Sequence, residues 1–321
     1  MFKLPGIPTP QSEVHDLADF AEWLAWKQGR ASSREILAAI GRLDDNDHNI
    51  GCDDNADELA DDLDEVMNEI ERRQTACNGA YPFSLGLAGT VLENRPPLGD
   101  SRAAVYYYLL LATRLNMQNN RTHEKIDGTL LMEELGEHVL GNYLGGRRMS
   151  VKSGDTDGPN FRRAMSMVFG TRNPGRFPDK VRDLCSAVGE GGAFRALDTA
   201  SVDAQDDKLD VVAWVPFSDQ KPSQLVLFGQ CKTGTSWEGQ VTQLQPEAFI
   251  RRWMRDPFLL TPIRTFLISE APNHAKWCGT CLYAGLLFDR CRIIDFCADL
   301  NDDLLSRITT WTDAAKQQLC A

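Results

Sequence analysis

Residues 206–240 read DDKLDVVAWVPFSDQKPSQLVLFGQCKTGTSWEGQ. Asp210 opens an apolar run over 209–215, rich in β-branched and aromatic residues. A polar turn at 217–223 leads into a second apolar run, 225–230, which ends in Gln230-Cys231-Lys232 and then Thr-Gly. Two such runs around a turn containing Pro and Ser predict a β-hairpin. Alternation along a strand puts Gln230 and Lys232 on one face. With Asp210 starting the neighbouring strand on that face, a carboxylate, an amide oxygen and an ammonium are predicted to converge at one sheet edge.

Reading outward, 177–189 (FPDKVRDLCSAVG) has Val181, Leu184, Cys185 and Val188 at helical spacing. Strand-like runs recur at 263–269 and 286–296, with helices predicted at about 241–255 and 300–319. The second half is therefore expected to be α/β. Upstream, amphipathic patterns over 12–28, 33–42, 57–77, 101–117 and 127–144 predict helices, with no strand pattern between them. Two domains are expected: an acidic all-helical one over residues 1–150 and an α/β one over 158–321.

The predicted grouping suits phosphodiester hydrolysis. Asp210, the Gln230 side-chain oxygen and the Cys231 carbonyl would hold Mg²⁺, with Mn²⁺ as a substitute. Lys232 would orient or help deprotonate the attacking water and offset charge on the phosphorus. Asp210, a gap of twenty residues and the Gln-x-Lys of 230–232 resemble the PD-(D/E)XK nuclease superfamily, the restriction-endonuclease-like fold. The resemblance covers roughly residues 160–300. It implies a mixed α/β sheet flanked by helices in the order helix, three strands, helix, strand. It also implies a metal-dependent DNA endonuclease with catalytic Asp210, Gln230 and Lys232, in a setting such as bacterial restriction or defence. Phe177, Val181, Leu184 and Gly189 match the opening helix of the Mrr-like branch. Its acid position is Pro178, leaving Asp179, Asp183 or Glu190 to substitute. A Gln where the family has Asp or Glu removes one charge, so weak metal affinity is expected. The alternative keeps the fold as a catalytically inactive subunit that binds nucleic acid or partner proteins.

Charge supports an asymmetric molecule. The 321 residues carry 34 Lys/Arg and 46 Asp/Glu, a net of −12. Residues 1–150 hold 14 Lys/Arg against 25 Asp/Glu, a net of −11, whereas 145–182 hold nine basic residues against three acidic ones. Arg162, Arg163, Arg172 and Arg176 in that basic stretch are the candidates for tracking DNA phosphates. The whole-chain charge argues against tight non-specific DNA binding. Residues 1–150 are expected to serve a protein partner or to restrain the site, and paired cuts would need a homodimer.

Other chemistries find less support. The apolar run 103–112 is about half of the roughly 20 residues that a membrane helix needs, and no secretory signal is visible. Nine cysteines without framework spacing fit a reducing, cytoplasmic setting. The loop at 43–56 places Asp45, Asp47 and Asn49 like an EF-hand, but Ile50 and Ala56 stand where Gly and Glu are required. Cys278-x-x-Cys281 offers a redox pair, yet a thioredoxin-like site is expected after the first strand of its domain, at a helix N-terminus. A zinc site from Cys278, Cys281, Cys291 and Cys297, with His274, is disfavoured because the second pair sits in an apolar run, so buried thiols are expected. His123 and His138 have no nucleophile nearby in sequence.

Overall fold

The computed structural model describes residues 2–9, 11–39, 53–86, 89–145, 164–197 and 207–320, with backbone alone for 53–63. The first part contains α1 (Val14–Gln28), β1 (Arg30–Ser32), α2 (Ser33–Ala39), α3 (Asp53–Ala76), β2 (Phe83–Gly86) and β3 (Val91–Asn94). Then come α4 (Arg102–Arg114), β4 (Thr122–His123), β5 (Ile126–Asp127) and α5 (Gly128–Gly145). They are followed by β6 (Met165–Val168), α6 (Phe177–Val188), β7 (Val211–Trp214), β8 (Val226–Lys232) and α7 (Pro246–Trp253). The chain closes with β9 (Ile263–Ile268), α8 (Trp277–Ala284), β10 (Leu286–Phe288), α9 (Arg290–Phe296) and α10 (Asp302–Cys320). The protein is mixed α+β.

A five-stranded sheet in the order β10-β9-β8-β7-β6 organises the molecule. Strands β6, β7 and β8 form an antiparallel meander, while β9 and β10 run parallel to β8. Strand β7, VVAW, is buried at every position. An unbroken apolar run of this kind is what a strand covered on both faces requires. Val211, Ala213, Leu227 and Leu267 point into a core built with α1, α3, α4, α5, α9 and α10. Val212, Trp214 and Phe228 point the other way, onto Phe177 and Leu184 of α6 and Phe249 and Trp253 of α7. The period of two along each strand thus produces two helical layers around one sheet.

Four expectations are corrected. The first 145 residues are not all-helical: a small antiparallel sheet, β1-β3-β2, and the β4–β5 pair lie among the helices. These strands have two to four residues each, too few for alternation to show in sequence. The run 286–296 is not one strand. Asp289 ends β10 and accepts a hydrogen bond from the Arg292 N–H at 2.9 Å, an N-cap that starts α9. Strand β6 was not anticipated, because Met165–Val168 is only partly buried and short.

Finally, among the described residues the helix that precedes the meander is α5. Helix α6, read from sequence as the opening helix, is instead inserted between β6 and β7.

The expected domain boundary near 150–158 lies outside the described residues, as do Arg162, Arg163 and the calcium-like positions Asp45, Asp47, Asn49 and Ile50. Among the described residues, the two halves share one apolar core: Phe20, Leu109 and Leu135 pack in the same cluster as Val211, Leu267, Ile294 and Trp311. No helix among the described residues is long and apolar enough to cross a membrane.

Candidate active site at the carboxyl ends of the sheet

Asp210 immediately precedes β7, whose register pairs Val211 with Gly229, and the Asp210 N–H donates to the Gly229 carbonyl at 2.9 Å. The Asp210 carbonyl accepts from the N–H groups of Phe169 and Gly170 at 2.7 and 2.8 Å, so the end of β6 clamps it from one side. On the other side its Oδ2 accepts the Cys231 N–H at 2.7 Å. The carboxylate therefore lies against the backbone joining Gln230 to Lys232, as the hairpin reading requires. Gln230 is completely buried, and among the described residues neither its Oε1 nor its Nε2 has a hydrogen-bond partner. An unsatisfied buried amide costs roughly 1–3 kcal/mol. Lys232 ends β8 on the same face and is half-buried.

A second carboxylate reaches this end of the sheet from α5. Glu133 is 8% exposed, and its Oε2 accepts the Arg172 N–H at 2.9 Å. Gly170 sits between the two acids: a Cβ there would come within 2.5 Å of Glu133 Oε2 and 3.1 Å of the Asp210 Cα. Only a residue without a side chain lets them pack this closely. Helix α5 comes equally near β8, because a Cβ on Gly136 would meet the Cys231 sulfur at 2.7 Å. The Cys231 thiol is thus buried against α5, on the face away from Gln230. Burial pushes its pKa well up, and the charges of Asp210 and Glu133 add to the effect. From sequence, Glu133 is visible only as one of three acids in MEELGEH, three residues before the buried Gly136.

Other candidates are placed as follows. Arg172 binds Glu134 through Nε at 2.6 Å, and its backbone supports Glu133. Arg176 is 82% exposed and pairs with Asp179 at 3.0 Å. None of the three acids expected to complete the site does so. Asp179 is taken by Arg176 and Arg182, and Asp183 is exposed on α6. Glu190 is buried at the far end of the sheet, accepting from the N–H groups of Ser223 and Leu259 at 2.8 Å each. Cys291 and Cys297 are buried on or beside α9, while Cys278 is exposed on α8, so the four cysteines do not form a zinc knuckle. His123 and His138 are spent on the carbonyls of Asn120 and Ala298.

Beside Lys232 lies a feature that sequence reading missed. The Lys232 carbonyl accepts the Ser269 N–H at 3.1 Å, and from Ser269 and Glu270 a buried charge network extends into the N-terminal helices. Asp19 accepts from Arg73 at 2.7 Å, Arg114 at 2.6 Å and Arg290 at 2.8 Å. Glu22 accepts from Arg73, Tyr81 and Tyr106 at 2.8–2.9 Å. Asp19, Glu22 and the three arginines are fully buried. Burial alone would raise the Asp19 pKa, but the guanidiniums of Arg114, Arg290 and Arg73 outweigh it and hold the carboxyl well below its ordinary range. The sequence signal is an acid every three residues, Asp16, Asp19 and Glu22, on an otherwise apolar helix. His15, Asp16 and Glu270 bring potential ligand atoms within 4.8 Å of one another. Arg114 already bonds Asp16 and lies 3.5 Å from Glu270, so its positive charge fills the role a metal ion would take.

No family model, no curated protein and no solved structure matches this chain.

Proposed function

We propose that the protein is a metal-dependent nuclease that hydrolyses phosphodiester bonds in DNA. The observation that carries this reading is Gln230, a completely buried amide without a hydrogen-bond partner among the described residues, on the strand face it shares with Lys232 and next to Cys231, whose N–H the Asp210 carboxylate accepts. A buried polar group is ordinarily satisfied, and an amide oxygen is a hard donor of the kind Mg²⁺ takes. Asp210, Gln230 and Glu133 would hold the ion, which when bound polarises the phosphoryl group and lowers the pKa of a coordinated water. Glu133 makes up the charge that Gln230 lacks. Lys232 positions the water and offsets negative charge as phosphorus becomes pentavalent. With α6 set aside as an insertion between β6 and β7, the order α5, β6, β7, β8, α7, β9 is compatible with the helix, three strands, helix, strand arrangement of the PD-(D/E)XK superfamily. Arg172 and Arg176, on the loop that supports Glu133, would meet the phosphate backbone.

The test is cleavage of supercoiled plasmid and single-stranded DNA by the full chain with Mg²⁺, Mn²⁺ or EDTA. Metal-dependent cutting is expected from the wild type and is expected to vanish in Asp210→Ala and Lys232→Ala. Cutting that survives both substitutions would refute the site. Absence of cutting, together with no Mg²⁺-linked thermal shift sensitive to Asp210→Ala, would leave the inactive nuclease-fold subunit as the reading.

A further inference from the structure

Helix α8 is the crossover between the parallel strands β9 and β10, which makes β9-α8-β10 a βαβ unit. The sequence around its start is Trp277-Cys278-Gly279-Thr280-Cys281. Sequence position argued against a redox pair here. In the fold, however, the Cys-x-x-Cys stands after a strand and at the N-terminus of a helix, the context in which such a pair has chemistry. Cys278 is the second residue of α8 and is exposed, whereas Cys281, one turn on, is half-buried. Residues three apart on an α-helix have Cα atoms about 5 Å apart, from a rise of about 1.5 Å per residue and a radius of about 2.3 Å. That lies inside the roughly 4.4–6.8 Å span that a disulfide bridges.

Access and asymmetry complete the case. A Cβ on Gly279, between the two cysteines, would meet nothing within 4 Å, so this side of the helix is open to an incoming reagent. Burial pushes the Cys281 thiol upward, with Arg292 partly offsetting it and Cys278 adding to it. Trp277 is held by the His274 ring, stacked at 4.7 Å, and by Arg292, 4.5 Å from the indole centroid, so the start of the helix is braced. Cys77, Cys185, Cys231, Cys291 and Cys297 are buried, and Cys320 is exposed at the far end of α10.

We infer that Cys278 and Cys281 form a reversible dithiol–disulfide site that exchanges with low-molecular-weight disulfides, a function separate from the hydrolytic site. The Cys278 thiolate attacks one sulfur of R–S–S–R, forming a mixed disulfide and expelling one thiolate, which takes up a proton. Cys281 then loses its proton and attacks the Cys278 sulfur, closing the Cys278–Cys281 bond and expelling the second thiol. Two protein thiols are oxidised and one disulfide is reduced to two thiols, with no other oxidant.

The test incubates the reduced full chain in glutathione buffers of graded reduced-to-oxidised ratio, with acid quench, alkylation and peptide mass spectrometry. Cys278 and Cys281 are expected to become oxidised together, as one intramolecular bond reversed by dithiothreitol. Cys281→Ser should trap a glutathione adduct on Cys278. Cys278→Ser should leave Cys281 at least about tenfold slower to react, as a half-buried thiol with a raised pKa demands. Cys278 is exposed on the helix and Cys281 half-buried, and far-UV circular dichroism verifies the fold of both variants. Separate adducts on the two cysteines in the wild type, or persistent thiols at both while Cys320 reacts, would overturn the inference.

Discussion

Asp19→Asn tests whether the buried charge network joins the two halves of the chain. The substitution keeps the side-chain shape and removes one negative charge from a group bonded to Arg73, Arg114 and Arg290, all fully buried. Removing one partner of a buried ion pair costs about 3–5 kcal/mol. The lower end applies, because Arg73 keeps Glu22 and Glu69, Arg114 keeps Asp16, and Arg290 keeps Glu22. With an unfolding entropy of about 2.1 cal/mol/K per residue, 321 residues give about 0.67 kcal/mol/K. A loss of about 3 kcal/mol then lowers Tm by about 4–5 °C. The assay is thermal unfolding followed by far-UV circular dichroism, with Asp179→Asn in the exposed Arg176–Asp179 pair as a control expected to match the wild type. The folded Asp19 carboxyl is held well below its ordinary range, so its contribution is fully present above the unfolded pKa. It is lost only as pH falls through the folded value. The gap between wild type and variant should therefore be flat from about pH 5 to about pH 8. A Tm change under about 1 °C, or a gap that has closed by about pH 5, would show that these charges are solvated and would refute the reasoning.

Gly170→Ala should leave the protein folded, because the atom its methyl meets first is the movable end of Glu133. Displacing that carboxylate by about 1 Å should cut metal-dependent cleavage by about 10²-fold, read as kcat/KM on plasmid. Glu133→Gln should weaken the Mg²⁺ dependence of cleavage, whereas Glu190→Gln should lower Tm and leave that dependence unchanged; the reverse pattern would return the second acid to Glu190. Lys3 donates to the Thr113 carbonyl at 2.6 Å, and burial, helped by Arg114, lowers its pKa to about 8. The folded state thus binds fewer protons than the unfolded one between about pH 8 and the ordinary lysine value. Its stability relative to Lys3→Met should rise across that window, and a gap that is constant or shrinking in scanning calorimetry would contradict it. A fragment of residues 158–321 should show no cooperative unfolding, since it lacks Arg114, Asp19 and the α4 and α5 core.

The sequence by itself determined the hairpin. Apolar runs of six or seven residues around a polar turn have one reasonable reading, and a period of two then put Gln230 and Lys232 on a common face beside Asp210. Local patterns of this kind survive folding because backbone geometry alone decides which way neighbouring side chains point. The long helices were legible for the same reason, from the 3.6-residue period. Only the tertiary structure decided that α5, not α6, precedes the meander, because both helices have apolar stripes that fit against a sheet. That packing also brings Glu133, and not Asp179, Asp183 or Glu190, to the Asp210 end of the sheet. The union of both halves in one core was equally hidden: Asp19 and Arg290 are 271 residues apart, and no local pattern records that a buried acid will meet a guanidinium so distant in the chain. The cysteine pair shows the same division. Its spacing was plain in the sequence, but whether it lay in a core or at the open start of a helix depended on how β9 and β10 came to lie side by side.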